Sequence, residues 1–204
     1  MTPKVTFHFD FASPNSYMSH RLVAGIEERT GTKFEYFPVL LGGLFKLTNN
    51  QAPFVTYGSV KNKPEYLRLE MMRFVRDHEL TKFKMNSHFP INTVTLMRGA
   101  IVAQQEGFLM DYIEAVLQDM WENDLNMGDK DVVAKALADH GFDSEHIMSR
   151  IQDQDVKDQL VANTSKSAEE GVFGCPTIFV GDEMFFGKDR MEAVEREIVR
   201  QSGS

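Results

Sequence analysis

Strand-forming sequence is confined to the two ends of this chain, and that separation restricts the possible folds more than any other feature. Residues 4–10 alternate Val5, Phe7 and Phe9 with Thr6, His8 and Asp10, the period-two pattern of a strand with one buried face. Residues 33–39 supply a second strand, in which Phe34, Tyr36 and Phe37 provide β-favouring bulk. Between them, Ser13-Pro14 reads as a helix N-cap with proline at the first helical position. Tyr17, Leu22, Val23 and Ile26 then follow at helical spacing up to Gly31. The opening is therefore β-α-β, a right-handed crossover whose helix starts at the carboxyl end of the first strand. Strand signal returns only at residues 177–180 and 184–186, joined by a Gly181-Asp182 turn, and an amphipathic helix at 189–200 closes the chain.

The middle of the chain must be accommodated without adding strands. Residues 42–62 are rich in Gly, Asn, Thr and Pro and predict a surface loop, of a length that tends to be functional. Residues 63–170 predict successive helices at 65–78, 93–106, 110–121, 129–139, 144–150 and 153–170. The expected architecture is α/β, a thioredoxin-like fold with a large all-helical insertion between the β-α-β and β-β-α halves. Residues 1–62 and 171–204 would form one unit and residues 63–170 the insertion.

Composition narrows the function classes. A chain of 204 residues with 42% hydrophobic content can bury a substantial core. Its net charge of -8, with Lys and Arg scattered among Asp and Glu, argues against nucleic acid as a partner. No run of about 18 apolar residues occurs, so no membrane span is expected. The N-terminal MTPKVTFHFDF lacks the charged and continuously apolar regions of a signal peptide. Cys175, the single cysteine, excludes an internal disulfide or dithiol pair and agrees with a reducing, cytoplasmic setting. The six histidines show no metal-site spacing, and His8 reads as a satisfied strand histidine, so no metal is expected. Walker A, GxGxxG and GxSxG patterns are absent from the sequence. Met71, Met72, Met97, Met110 and Met120 fall in predicted helices and read as core filler.

Three short segments could carry chemistry. Asp10-Phe11-Ala12-Ser13-Pro14-Asn15-Ser16-Tyr17 spans the strand-to-helix junction, where unpaired backbone N–H groups and the helix dipole stabilise an anion. Ser13 is either an ordinary N-cap or, in addition, a hydroxyl that donates to a bound sulfur anion and lowers a thiol's pKa. Gly171-Val172-Phe173-Gly174-Cys175-Pro176-Thr177 precedes a strand. It is a plain turn unless the Cys175-Pro176 bond is cis, which would turn the Cys175 backbone toward an extended peptide ligand. In Phe185-Phe186-Gly187-Lys188-Asp189-Arg190, Asp189 suits the first turn of the last helix and could equally accept an α-ammonium group.

In this order, and with the helical block between them, these segments resemble the kappa-class glutathione transferase and 2-hydroxychromene-2-carboxylate isomerase family, in the DsbA-like branch of the thioredoxin fold. Ser13-Pro14-Asn15-Ser16 lies where redox relatives carry Cys-Pro-x-Cys, with serine at both cysteine positions. The resemblance implies glutathione as cofactor and Ser13 as the catalytic serine. It implies glutathione contacts from Ser13, Pro14, Asn50, Lys63, the Cys175-Pro176 segment and Asp189. Asn92 and Lys46 are candidates for contacts to a small aromatic acid substrate, and a homodimer is carried over with the family. His88-Phe89-Pro90-Ile91-Asn92-Thr93 is closer to the bacterial isomerases than to the eukaryotic transferases. Two positions depart from the pattern: Cys175 stands where an aliphatic residue is usual, and Lys188 where a small or amide side chain is commoner. The implied activity is glutathione-dependent cis–trans isomerisation of a conjugated aromatic acid. A kappa-like transferase and a non-catalytic thioredoxin-fold binding module are the rivals.

Overall fold

A computed structural model describes residues 2–203; Met1 and Ser204, the two ends of the expected outer unit, lie outside the described residues. Four strands form one mixed sheet in the order β2-β1-β3-β4, drawn from both ends of the chain as the sequence predicts. β1 (Val5–Phe9) pairs parallel with β2 (Phe34–Pro38), in register Phe7 to Tyr36. On its other side β1 pairs antiparallel with β3 (Thr177–Val180), which pairs in turn with β4 (Glu183–Phe186). The helix α1 (Pro14–Thr30) makes the crossover between β1 and β2. It begins at Ser13 and ends at Gly31, whose φ of 68° is a left-handed conformation that glycine adopts without steric cost.

The segment expected as a loop at 42–62 instead contains two helices, α2 (Leu41–Leu47) and α3 (Pro53–Tyr57). Leu44 is the reason for the first, because it is buried with Val39, Val172 and Cys175 in a small cluster of its own. Gly43 permits the same packing: a Cβ there would lie 2.9 Å from the Thr164 side chain. Pro53 starts α3 from the first-turn position that proline favours.

Six helices follow between β2 and β3: α4 (Lys63–Asp77), α5 (Val94–Glu106), α6 (Leu109–Trp121), α7 (Lys130–Asp139), α8 (Ser144–Arg150) and α9 (Gln154–Glu169). They share one apolar core with the sheet, in which Val5, Phe7 and Phe9 meet Leu96, Ile101 and Trp121. Met97 and Met120 are fully buried in it, whereas Met72 and Met110 face solvent and are not the core filler their helical spacing suggests. The chain closes with a 3₁₀ turn (Lys188–Arg190) and α10 (Met191–Ser202), so the last helix begins two residues after Asp189.

His8 is a satisfied strand histidine. Its Nδ1 lies 2.8 Å from Ser167 Oγ, and its ring sits between Phe37 and Phe179. Burial, with the Lys166 ammonium nearby, lowers its pKa from 6.5 to about 4. The unfolded chain therefore binds more protons than the fold between those values, and His8 withdraws stability as pH falls from 6.5 to 4. We expect urea titrations across this window to show a smaller loss of unfolding free energy for His8→Asn than for the parent protein. Parallel pH profiles would contradict that assignment.

Candidate active site

β1 delivers the chain to the site, and one buried carboxylate holds the turn that follows. Asp10 is fully buried at the end of the strand. Its Oδ1 accepts hydrogen bonds from the Ala12 N–H at 2.9 Å and the Thr93 hydroxyl at 2.6 Å, and its Oδ2 accepts from the Leu41 N–H at 2.7 Å. Those donors belong to the turn before α1, the N-cap of α5 and the start of α2. Burial raises the Asp10 pKa, while the three donors oppose the rise. The Ser13 N–H donates to Asp10 O at 3.1 Å, and the Trp121 indole donates to Phe11 O at 3.1 Å. The sequence shows Asp10 beside Ser13 but not this tethering role. A charged residue ending an apolar strand was the only signal for it.

Ser13 caps α1: its Oγ accepts from the Ser16 N–H at 3.2 Å. The hydroxyl also donates to Cys175 O at 2.9 Å, so the two segments quoted from opposite ends of the sequence meet at this one oxygen. The Cys175-Pro176 peptide bond is cis, as is Phe89-Pro90. Among the described residues the Cys175 N–H has no hydrogen-bond partner. Cys175 Sγ is no nucleophile here, because burial, with the nearby Asp10 carboxylate, pushes its pKa well up and keeps the thiol protonated.

The other sequence candidates divide by what holds them. Asn50 is exposed, and its side-chain amide donates to Phe173 O at 2.9 Å, which attaches the end of α2 to the Cys175 segment. Lys63 begins α4 half-buried, with its ammonium 5.3 Å from the Tyr57 ring centre and 5.9 Å from that of Tyr66, and it makes no ion pair among the described residues. Asp189 is exposed and caps no helix; its Oδ1 instead receives the Lys188 ammonium at 2.5 Å. The turn carrying it is fastened to the cis-proline, because the Gly187 N–H donates to Pro176 O at 3.0 Å. Pro14 occupies the first turn of α1. Lys46 is exposed on α2, and Asn92 turns its carbonyl oxygen to the Val94 N–H at 3.1 Å, in the first turn of α5. The Lys188 ammonium also lies 4.7 Å from the centre of the Phe74 ring, a contact between a turn and a helix so distant in sequence that no local pattern announces it.

An apolar wall flanks the site. Phe54 of α3 packs edge-on against Phe89, which in turn meets Trp121. Phe54, Tyr57 and Tyr66 all leave much of their surface exposed. No group of three or more His, Cys, Asp or Glu side chains among the described residues is placed to hold a metal ion. None of the helices among them is long and apolar enough to cross a membrane.

The chain resembles known proteins along nearly its whole length. It is 22% identical over 197 residues to a 2-hydroxychromene-2-carboxylate isomerase of Sphingobium xenophagum, covering 96% of this chain and 97% of that one. It is 25% identical over 197 residues to glutathione S-transferase kappa 1 of Rattus norvegicus, covering 90% of this chain and 85% of the relative. A solved 2-hydroxychromene-2-carboxylate isomerase superposes with a TM-score of 0.84 at 23% identity, over 97% of this chain and 95% of the other, a likeness of fold. Residues 4–199 match the model of the DSBA-like thioredoxin domain. That match spans the four-stranded sheet, the helices between its halves, and the facing Ser13 and cis-proline, and the chain belongs to the DSBA-like thioredoxin domain family.

Proposed function

We propose that this protein is a glutathione-dependent cis–trans isomerase acting on a conjugated aromatic acid, of the 2-hydroxychromene-2-carboxylate isomerase type. The observation that carries the reading is the Ser13 hydroxyl, set at the N-terminus of α1 and pointed at Cys175 O, with no reactive protein thiol beside it. The residues present suit a γ-glutamyl tripeptide. Among the described residues Cys175 offers an unpaired N–H, Lys63 a half-buried cation without a counter-ion, and Asp189 an exposed carboxylate. When bound, glutathione supplies a thiolate that adds reversibly to the conjugated double bond and so permits rotation about it.

The chain's own part is to make that thiolate available at neutral pH. Ser13 has one O–H, which Cys175 O occupies at 2.9 Å. An extended peptide paired with the Cys175 backbone would offer that carbonyl an N–H of its own, and the Ser13 hydroxyl would then be free to donate to sulfur. The α1 dipole adds its positive end at the same point. Helices α3 and α4 give the aromatic ring an apolar surface, with Asn92 and Lys46 proposed to meet the substrate's polar groups. The same reading takes the protein as a cytoplasmic homodimer.

Thiol titration by ultraviolet difference tests the first step. Bound glutathione should ionise at least one pH unit below free glutathione, and an unshifted titration would point to a non-catalytic binding module. Product accounting tests the second. An isomerase conserves free glutathione through many turnovers, whereas stoichiometric loss would identify the kappa-like transferase reading instead.

A further inference from the structure

The polar alternates of β1 line a cleft of about 850 Å³ on the side of the sheet that α9 packs against, a size typical of small-molecule sites. Val5, Phe7 and Phe9 join the main apolar core, while Thr6 and His8 turn to the cleft. His8 stands between Phe37 and Phe179, with ring centres 4.8 and 5.3 Å away, so the floor is a row of three rings. Leu109 and Met110 add apolar surface to the walls. None of Ser13, Cys175, Lys63 or Asp189 lines this space.

Two polar groups at the cleft are incompletely satisfied. His8 is 3% exposed and only its Nδ1 is paired, with Ser167 Oγ; Nε2 has no partner among the described residues. Buried polar atoms are nearly always hydrogen-bonded, and a neutral imidazole keeps either a donor or an acceptor at that nitrogen. With its pKa lowered to about 4, His8 presents no charge near neutral pH. Lys166 of α9 holds its ammonium 5.5 Å from the centre of the Phe37 ring. Its one carboxylate neighbour among the described residues, Glu170, is 3.8 Å away, at the outer limit of an ion pair. Lys4, by contrast, is engaged by Glu35 at 2.9 Å. Glu35, Glu170 and Asp182 give the cleft an acidic rim, which opposes more than one negative charge on a ligand.

We infer that this cleft is a second ligand site, for a planar hydroxy-aromatic monocarboxylate of one or two rings, lying on Phe37, His8 and Phe179 with its carboxylate on Lys166 and its hydroxyl on His8 Nε2. A hydroxyl both donates and accepts, so it suits that nitrogen in either tautomer. A single carboxylate answers the one loosely held cation, and the acidic rim turns away a dianion. The site is separate from Ser13, and binding there is independent of the glutathione reading above.

Calorimetry with 6-hydroxy-2-naphthoate, 2-naphthoate and the neutral 2-naphthamide tests the assignment. The parent protein should bind 2-naphthoate about fivefold more tightly than 2-naphthamide, the scale of a partly exposed charge pair, and the 6-hydroxyl should add about fivefold more. Lys166→Met should erase the first preference and Lys166→Arg should keep it. His8→Asn, which retains a partner for Ser167, should erase the second. Saturating glutathione, or Phe54→Ala in the wall of the candidate active site, should leave all three affinities unchanged. Thermal melts would establish that the variants are folded; the Lys166 side chain is 62% exposed, so its two variants decide the matter even where His8→Asn melts early. A carboxylate preference that survives in Lys166→Met, a hydroxyl gain that survives in folded His8→Asn, or binding lost with Phe54→Ala or competed by glutathione would overturn the inference. Absence of saturable binding to the parent protein would overturn it equally.

Discussion

Ser13→Ala should lower isomerase turnover on the order of 10²–10³-fold, the usual cost of removing one preorganised donor to a developing or resident anion in a water-poor site. Glutathione affinity should change far less, because the proposed contacts at Cys175, Lys63 and Asp189 do not involve the hydroxyl. The bound thiol should titrate close to its solution value. Folding will register the change too: Ser13 Oγ accepts the Ser16 N–H, and loss of such a cap costs about 1 kcal/mol, too little to unfold a domain of this size. The alanine also leaves Cys175 O free to pair with the ligand alone, so weakened activity could not be blamed on a blocked carbonyl. Steady-state kinetics and thiol titration on the same preparation separate the possibilities. Turnover within threefold of the parent would reduce Ser13 to an ordinary N-cap and remove the central support for the proposed chemistry.

Ser13 could be picked out from sequence because capping is a local rule, written in Ser13-Pro14 and the periodic residues that follow. The cis-proline segment was visible for a similar reason, as a Gly-rich approach to a short apolar strand. What joins them was not visible. The 2.9 Å hydrogen bond from Ser13 to Cys175 spans 162 positions, and only the pairing of β1 with β3 brings them together. Residues 42–62 read as a loop because Gly42, Gly43, Asn49 and Asn50 have loop composition, whereas one buried leucine, Leu44, packs the first part against Val39, Val172 and Cys175. Asp189 reads as a helix cap by spacing, yet the 3₁₀ turn carries the chain two residues further before α10 begins and gives the carboxylate to Lys188 instead. In each case local chemistry predicts the backbone and distant packing decides the side chain's partner.

Asp10 shows the same division, and its removal should have the largest effect on stability. Asp10→Ala leaves the Ala12 N–H, the Leu41 N–H and the Thr93 hydroxyl without their acceptor around a fully buried position, Thr93 itself buried and Ala12 and Leu41 half-buried. Each stranded donor costs about 1–3 kcal/mol, and relief from burying a carboxylate returns part of the sum, so we expect a net loss on the order of 3–5 kcal/mol. The pH dependence gives a second signature. Burial raises the Asp10 pKa, so ionising it costs more in the fold than in the unfolded chain; its contribution is fullest below the unfolded value and declines as pH rises through the folded one. That component should vanish in both Asp10→Ala and Asp10→Asn. Asn keeps one acceptor oxygen but must aim an N–H₂ at another donor, which places its stability between the parent and the alanine variant. Urea midpoints at constant m provide the measurement. A loss below about 1 kcal/mol for alanine would mean that the three donors find other partners, and that the starts of α1, α2 and α5 are held in register by apolar packing without the carboxylate.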